Sequence, residues 1–152
     1  MSYFNVFILL IVSFINVQEK HFVTFISDEV QIIHKETFTT VIIPFEILEG
    51  YHIQLEKVED DNLLATKIDF ENQTGIEVKH KEFISLQYKS VVLDKKEVMV
   101  LDNTFMVSVK LKLSPNKKKQ MLKGKLFYQT CDNFKCYFPR ELKFTISLEK
   151  RE

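Results

Sequence analysis

Tryptophan is absent, and glycine and proline occur only three times each in the 152 residues. So little Gly and Pro excludes a collagen-like or low-complexity chain, and the missing Trp leaves a core of Phe, Ile, Leu and Val. Net charge is lacking as well, with 21 basic and 21 acidic side chains. A balanced charge gives no global reason to expect nucleic acid or an anionic surface as partner. Cysteine is confined to two positions, Cys131 and Cys136. The C-x4-C spacing is not that of a structural zinc knuckle, and no second Cys or His pair supplies further ligands. His21, His34, His52 and His80 are scattered and read as surface or internally satisfied histidines, so no metal is expected. A phosphate-cradling glycine loop, a carboxylate constellation and a thioredoxin-type C-x-x-C are all missing, and no cofactor is implied.

What is present is hydrophobic patterning in a globular composition, 45% hydrophobic and 28% charged, with 14 phenylalanines. The length suits one domain. Residues 1–18 carry no charge, and Phe4 to Val17 is nearly continuous hydrophobe. That run is short for a membrane span of about 20 residues and fits a signal-peptide core. The expected organisation is therefore a signal peptide or hydrophobic leader over 1–18, alternatively an uncleaved anchor or a buried first strand, and one exported domain over 19–152, with no lipid anchor.

Within that domain the hydrophobic period is two. Val107, Val109, Leu111 and Leu113 alternate with Ser108, Lys110 and Lys112, and Leu142, Phe144, Ile146 and Leu148 alternate with polar neighbours. Both patterns predict half-buried strands. Thr37 to Ile47, His52 to Glu56, Thr66 to Phe70, Ile76 to Lys79 and Glu97 to Leu101 read as further strands, and Phe22 to Ile33 as another extended stretch. Glu49-Gly50, Asp60-Asp61-Asn62, Asn72 to Gly75 and Asp102-Asn103 separate them as turns. Ser114-Pro115-Asn116 and the lysines that follow read as a loop, and Glu82 to Lys89 has room for one helical turn. Seven to nine strands in one all-β domain predict an antiparallel sandwich or barrel. Seven lysines and no acid between Asn103 and Thr130 form a solvated face, or alternatively a docking surface for an acidic partner.

The cysteines flank Asp132-Asn-Phe-Lys135, a hairpin-loop composition between strand-like Leu126 to Thr130 and Tyr137 to Leu148. Residues facing each other across such a loop have Cα atoms about 4.5 to 5.5 Å apart, within the disulfide range of about 4.4 to 6.8 Å. A ring this small stabilises a fold by only about 2 kcal/mol in the chain-entropy model. The bridge is thus a candidate for chemistry, or alternatively a staple in a non-catalytic exported binding or structural module.

The stretch Leu122-Lys-Gly124-Lys-Leu-Phe-Tyr128-Gln129-Thr-Cys131-Asp132, continuing to Cys136-Tyr137-Phe-Pro139 and a last strand, resembles the C-terminal signature of the DsbD N-terminal (alpha) domain family. Glu49-Gly50-Tyr51-His52-Ile53 and Leu64-Ala-Thr66-Lys-Ile68 are similar to earlier family stretches, so the resemblance covers about residues 20 to 150. It implies an immunoglobulin-like antiparallel β-sandwich in the periplasm or another envelope compartment, monomeric and active in thiol–disulfide interchange. By the resemblance Cys131 and Cys136 are the redox pair, with Cys136 forming mixed disulfides. Tyr128, Gln129, Asp132, Phe134, Tyr137 and Pro139 support the pair or meet the partner. An aromatic cap falls at about Phe83 to Lys96, with Phe83 or Tyr88 as the capping ring. The cap motif itself is not recognisable here, and the loop between the cysteines is short. The implied partners are thioredoxin-like envelope proteins and a membrane electron-transfer protein.

Overall fold

In the computed structural model the described residues are 21–55, 63–85, 87–93, 95–115 and 119–149. The expected leader over 1–18 and the Asp60-Asp61-Asn62 turn lie outside them.

Two antiparallel sheets face each other. The first is built on β3 (Thr39–Ile47) and β9 (Thr104–Leu113), with β6 (Ile76–Ser85) beyond β9. On the other side of β3 lie β1 (Val23–Phe25) and β2 (Gln31–His34). The second sheet runs in the order β12 (Arg140–Glu149), β10 (Lys119–Tyr128) and β5 (Lys67–Phe70). The architecture is an all-β, immunoglobulin-like antiparallel sandwich.

The period-two patterns dictate which face is buried. Phe105, Val107, Val109 and Leu111 on β9 are fully buried, as are Val41, Ile43 and Phe45 on β3. Opposite them, Leu122, Leu126, Phe144, Ile146 and Leu148 close the core from the second sheet. Phe45 and Phe144 join the sheets, with ring centroids 5.5 Å apart, and Phe45 stacks on Phe105 at 5.1 Å. Phe144 also touches Phe25 and Phe70, and its ring lies over Gly124 on the neighbouring strand. A Cβ at Gly124 would sit 2.3 Å from Phe144 Cζ. The glycine is therefore required by close approach, because three other rings hold Phe144 in place.

Several elements differ from the sequence reading. Phe22 to Ile33 is not one extended stretch, because a 3-10 turn at Ser27–Glu29 separates β1 from β2. The strand read at Ile76 to Lys79 continues to Ser85, with a bulge between Val78 and His80. No helical turn forms among the described residues of 82–89, because β9 offers β6 a paired edge as far as Phe105. Lys119, read as loop, stands on β10 with Lys123 and Lys125. Lys119 bonds Glu149 at 2.8 Å and Lys125 reaches Glu141 at 3.6 Å, so cross-strand acids take up part of this charge. The expected strand Tyr137 to Leu148 begins only at Arg140, and β10 ends at Tyr128. The intervening residues, 129–139, rise beyond the sheet as a separate excursion that carries both cysteines.

Candidate functional site

The excursion is pinned at its base and again at its tip. At the base, β11 (Thr130–Cys131) pairs with β4 (His52–Ile53), with Thr130 opposite Ile53 and Cys131 opposite His52. Gly50, at φ 82°, makes the turn that brings the chain from β3 into β4, a conformation that favours glycine. Ile53 also pairs with Leu101, which joins β4 to the end of β8 (Lys96–Val100). At the tip, Cys131 and Cys136 form a disulfide with Cα atoms 3.9 Å apart. The expected pairing across the loop is present and closer than the sequence reading allowed.

Asp132 organises the loop between them. Its carboxylate accepts from the backbone N–H groups of Phe134 (2.7 Å) and Lys135 (2.8 Å) and from the Tyr137 hydroxyl (2.8 Å). The Asp132 N–H donates to the Lys135 carbonyl at 2.9 Å, and the Tyr137 N–H to the Thr130 carbonyl at 2.8 Å. These donors, the two backbone N–H groups first, hold the Asp132 carboxyl below its ordinary value. The bond to Asp132 first, then burial, pushes Tyr137 up to about 12. Gln129 ties the returning chain to the body of the domain. Its Nε2 donates to the Tyr137 carbonyl at 3.1 Å while its Oε1 accepts from the Leu64 N–H at 2.9 Å.

An aromatic group lies beneath. Phe22 packs 4.8 Å from both Tyr51 and Tyr137, and the Arg140 guanidinium sits 4.8 Å from the Phe22 ring centroid. Tyr128 is buried at the end of β10. Beside it runs a surface groove of about 690 Å³, lined by His21, Tyr128, Phe138, Pro139, Arg140 and Glu141 among others. Phe134 and Phe138, in contrast, are 95% and 91% exposed. One of these rings lies within the loop that the disulfide closes, and the other lies two residues beyond Cys136.

The two sulfurs differ in environment. Cys131 is 2% exposed, whereas Cys136 is only half-buried. A group approaching from solvent meets Cys136 first. The proposed caps separate too. Phe83 on β6 is half-buried against the core, 6.1 Å from Phe105. Tyr88 is half-exposed, just before β7 (Lys89–Leu93). β7 pairs with β8 as a hairpin, and Leu101 after β8 bridges to β4.

His52 is the residue that sequence reasoning passed over. It is 4% exposed, opposite Cys131, and its Nε2 has no hydrogen-bond partner among the described residues. The signal was present in Gly50-Tyr51-His52, but only strand pairing reveals what lies across from it. Burial pushes the imidazole below its ordinary 6.5, against the pull of Asp102 and Asp132, while Lys89 adds to the lowering. The folded state thus prefers neutral His52, and its contribution is present above pH 6.5 and lost as the pH falls through the lowered value. Wild type is expected to lose melting temperature between pH 7 and 5, and His52→Gln to lose less. A wild-type melting temperature that is flat across that window would contradict the buried neutral imidazole.

Among the described residues no group of three or more His, Cys, Asp or Glu side chains converges as a metal site would. The arrangement defines an all-β sandwich whose sheet end carries a disulfide on a hydrogen-bonded, aromatic-flanked tip. Among solved structures, the N-terminal periplasmic domain of ScsB from Proteus mirabilis has the same fold, with a TM-score of 0.52 and 14% identity. The alignment covers 79% of this chain and 44% of that one, so the chain spans less than half of its length. The N-terminal domain of DsbD from Neisseria meningitidis, in its reduced form, aligns at TM-score 0.45 and 18% identity, over 80% of this chain and 85% of that one. No protein-family model and no curated protein sequence matches the chain.

Proposed function

We propose that this chain is an extracytoplasmic thiol–disulfide exchange domain of the DsbD N-terminal type, relaying reducing equivalents through Cys131 and Cys136. The observation that carries this reading is redundancy. Asp132, Gln129 and backbone bonds already hold the hairpin tip, and the six-residue ring stabilises by only about 2 kcal/mol. A staple has little left to do, whereas a tip that keeps its shape when the bridge opens suits a disulfide that cycles. Burial supports the assignment of roles, with Cys136 as the sulfur that forms mixed disulfides and Cys131 as the one that resolves them. Exposed Phe134 and Phe138 are suited to dock a partner, and Tyr88, on the solvent side, is the better cap of the two proposed rings. The partners in this reading are thioredoxin-like envelope proteins and a membrane electron-transfer protein. The domain proper would span 19–152 behind a leader at 1–18 and work as a monomer without cofactor.

The test is the reduction potential of the couple. An exchanging pair is expected above about −300 mV, in the range of cycling disulfides. A Cys131→Ala variant should trap a mixed disulfide through Cys136 with a thioredoxin-like protein. A potential far below that value, together with failure to trap, would leave the bridge as a structural staple.

A further inference from the structure

The buried sulfur raises a problem that the exchange reading alone does not solve. When an incoming thiolate attacks Cys136 Sγ, the sulfur–sulfur bond breaks and its electron pair leaves on Cys131 Sγ. Cys131 is 2% exposed, and a thiolate without water or a partner is costly to form. It needs a proton close at hand. Closing the bridge has the converse need, because the Cys131 thiol must lose its proton before it can attack.

One titratable side chain is built into the pairing partner of Cys131. Directly paired antiparallel residues project to the same face with Cβ atoms about 4.5 to 5.5 Å apart, and the residue opposite Cys131 is His52. His52 is buried and its Nε2 is unpartnered among the described residues, so a ring nitrogen is uncommitted. We propose that His52 carries the proton to and from the Cys131 sulfur as the disulfide opens and closes. This inference rests on the exchange reading and adds the group that makes a buried sulfur usable.

The proton and electron balance follows. In the reductive direction a partner dithiol gives up one proton to solvent and attacks Cys136. Cys131 leaves as a thiolate and takes a proton from the His52 imidazolium, which forms as the ring takes one proton from solvent and returns to neutral once it has given it up. The partner's second thiolate, its proton also lost to solvent, then attacks the partner's own sulfur in the mixed disulfide, and Cys136 leaves and is protonated. The partner is oxidised to a disulfide, the pair is reduced to two thiols, and His52 is unchanged. In the oxidative direction neutral His52 takes the proton from the Cys131 thiol. The resulting thiolate attacks Cys136 and expels the partner's sulfur.

The surrounding charges suit a base that is neutral at rest. Asp102, Asp132 and Lys89 are the charged groups that act on His52. Lys89 pairs with Asp102 at 3.2 Å, and three hydrogen bonds already engage the Asp132 carboxylate, so neither acid is left to fix an imidazolium permanently.

The experiment mixes the reduced protein with one equivalent of dithiobis-nitrobenzoate and follows thionitrobenzoate release. The first release reports attack by Cys136 and the second reports resolution by Cys131. His52→Gln is expected to leave the first release unchanged and to slow the second about a hundred-fold at pH 7. In wild type the second release should rise with an apparent midpoint below pH 6.5. In the variant that limb should move to the thiol's own range, above about pH 8.5. Slowing of less than about ten-fold overturns the role of His52. If the variant fails to fold, the wild-type profile decides, and a single limb in the thiol range overturns the proposal. Absence of the first release in wild type would instead sink the exchange reading itself.

Discussion

Left as the single cysteine, Cys136 is expected to alkylate with iodoacetamide at least about ten-fold faster than Cys131 does when it is left alone. The asymmetry comes from the fold. Cys136 lies on the returning limb of the loop, half-exposed between Phe134 and Phe138, whereas Cys131 sits in the β11–β4 ladder with 2% of its surface accessible. Access limits thiol reactivity, and Cys131 has little of it. Either substitution removes the disulfide and therefore ends any redox cycle. Only Cys131→Ala leaves a thiol that a macromolecule can reach. Equal alkylation rates in the two variants, both folded by circular dichroism, would mean that the tip opens in solution and that burial does not assign the roles.

Phe45→Ala is expected to cost about 3 to 5 kcal/mol of unfolding free energy, the usual range for a buried Phe reduced to Ala. Phe45 is fully buried on β3 and contacts Phe25, Phe105 and Phe144 at ring-centroid distances of 5.9, 5.1 and 5.5 Å. It is the ring through which the first sheet meets the second, and its neighbours are themselves held by packing and cannot collapse into the space. Against a total stability of about 5 to 15 kcal/mol, such a loss is a large share. Urea unfolding should show a lower midpoint at unchanged slope. A loss under about 1.5 kcal/mol would show that the sheets can close over the gap.

The strands that were legible share a physical reason. β9 and β12 each bury one face and wet the other, so alternation along the chain writes their orientation directly. Elements whose existence depends on a neighbour were not legible. β6 continues past Lys79 only because β9 offers it a paired edge, and the 3-10 turn at Ser27–Glu29 has no periodic signature. Lys119 reads as loop in the sequence because its counter-charge, Glu149, lies far along the chain and across the ladder.

The candidate site divides in the same way. The spacing of Cys131 and Cys136 and the turn residues between them are local, so the bridge across a hairpin tip was determined by sequence, as was the all-β character of the domain. Asp132 and Gln129 stood out beside the cysteines, but their bonds to Phe134, Lys135, Tyr137 and Leu64 depend on how the loop returns. Which sulfur is buried, and that His52 lies opposite it, was decided by the tertiary structure alone. His52 and Cys131 are 79 residues apart, and no local pattern encodes a pairing that exists only once the Gly50 turn sets β4 beside β11.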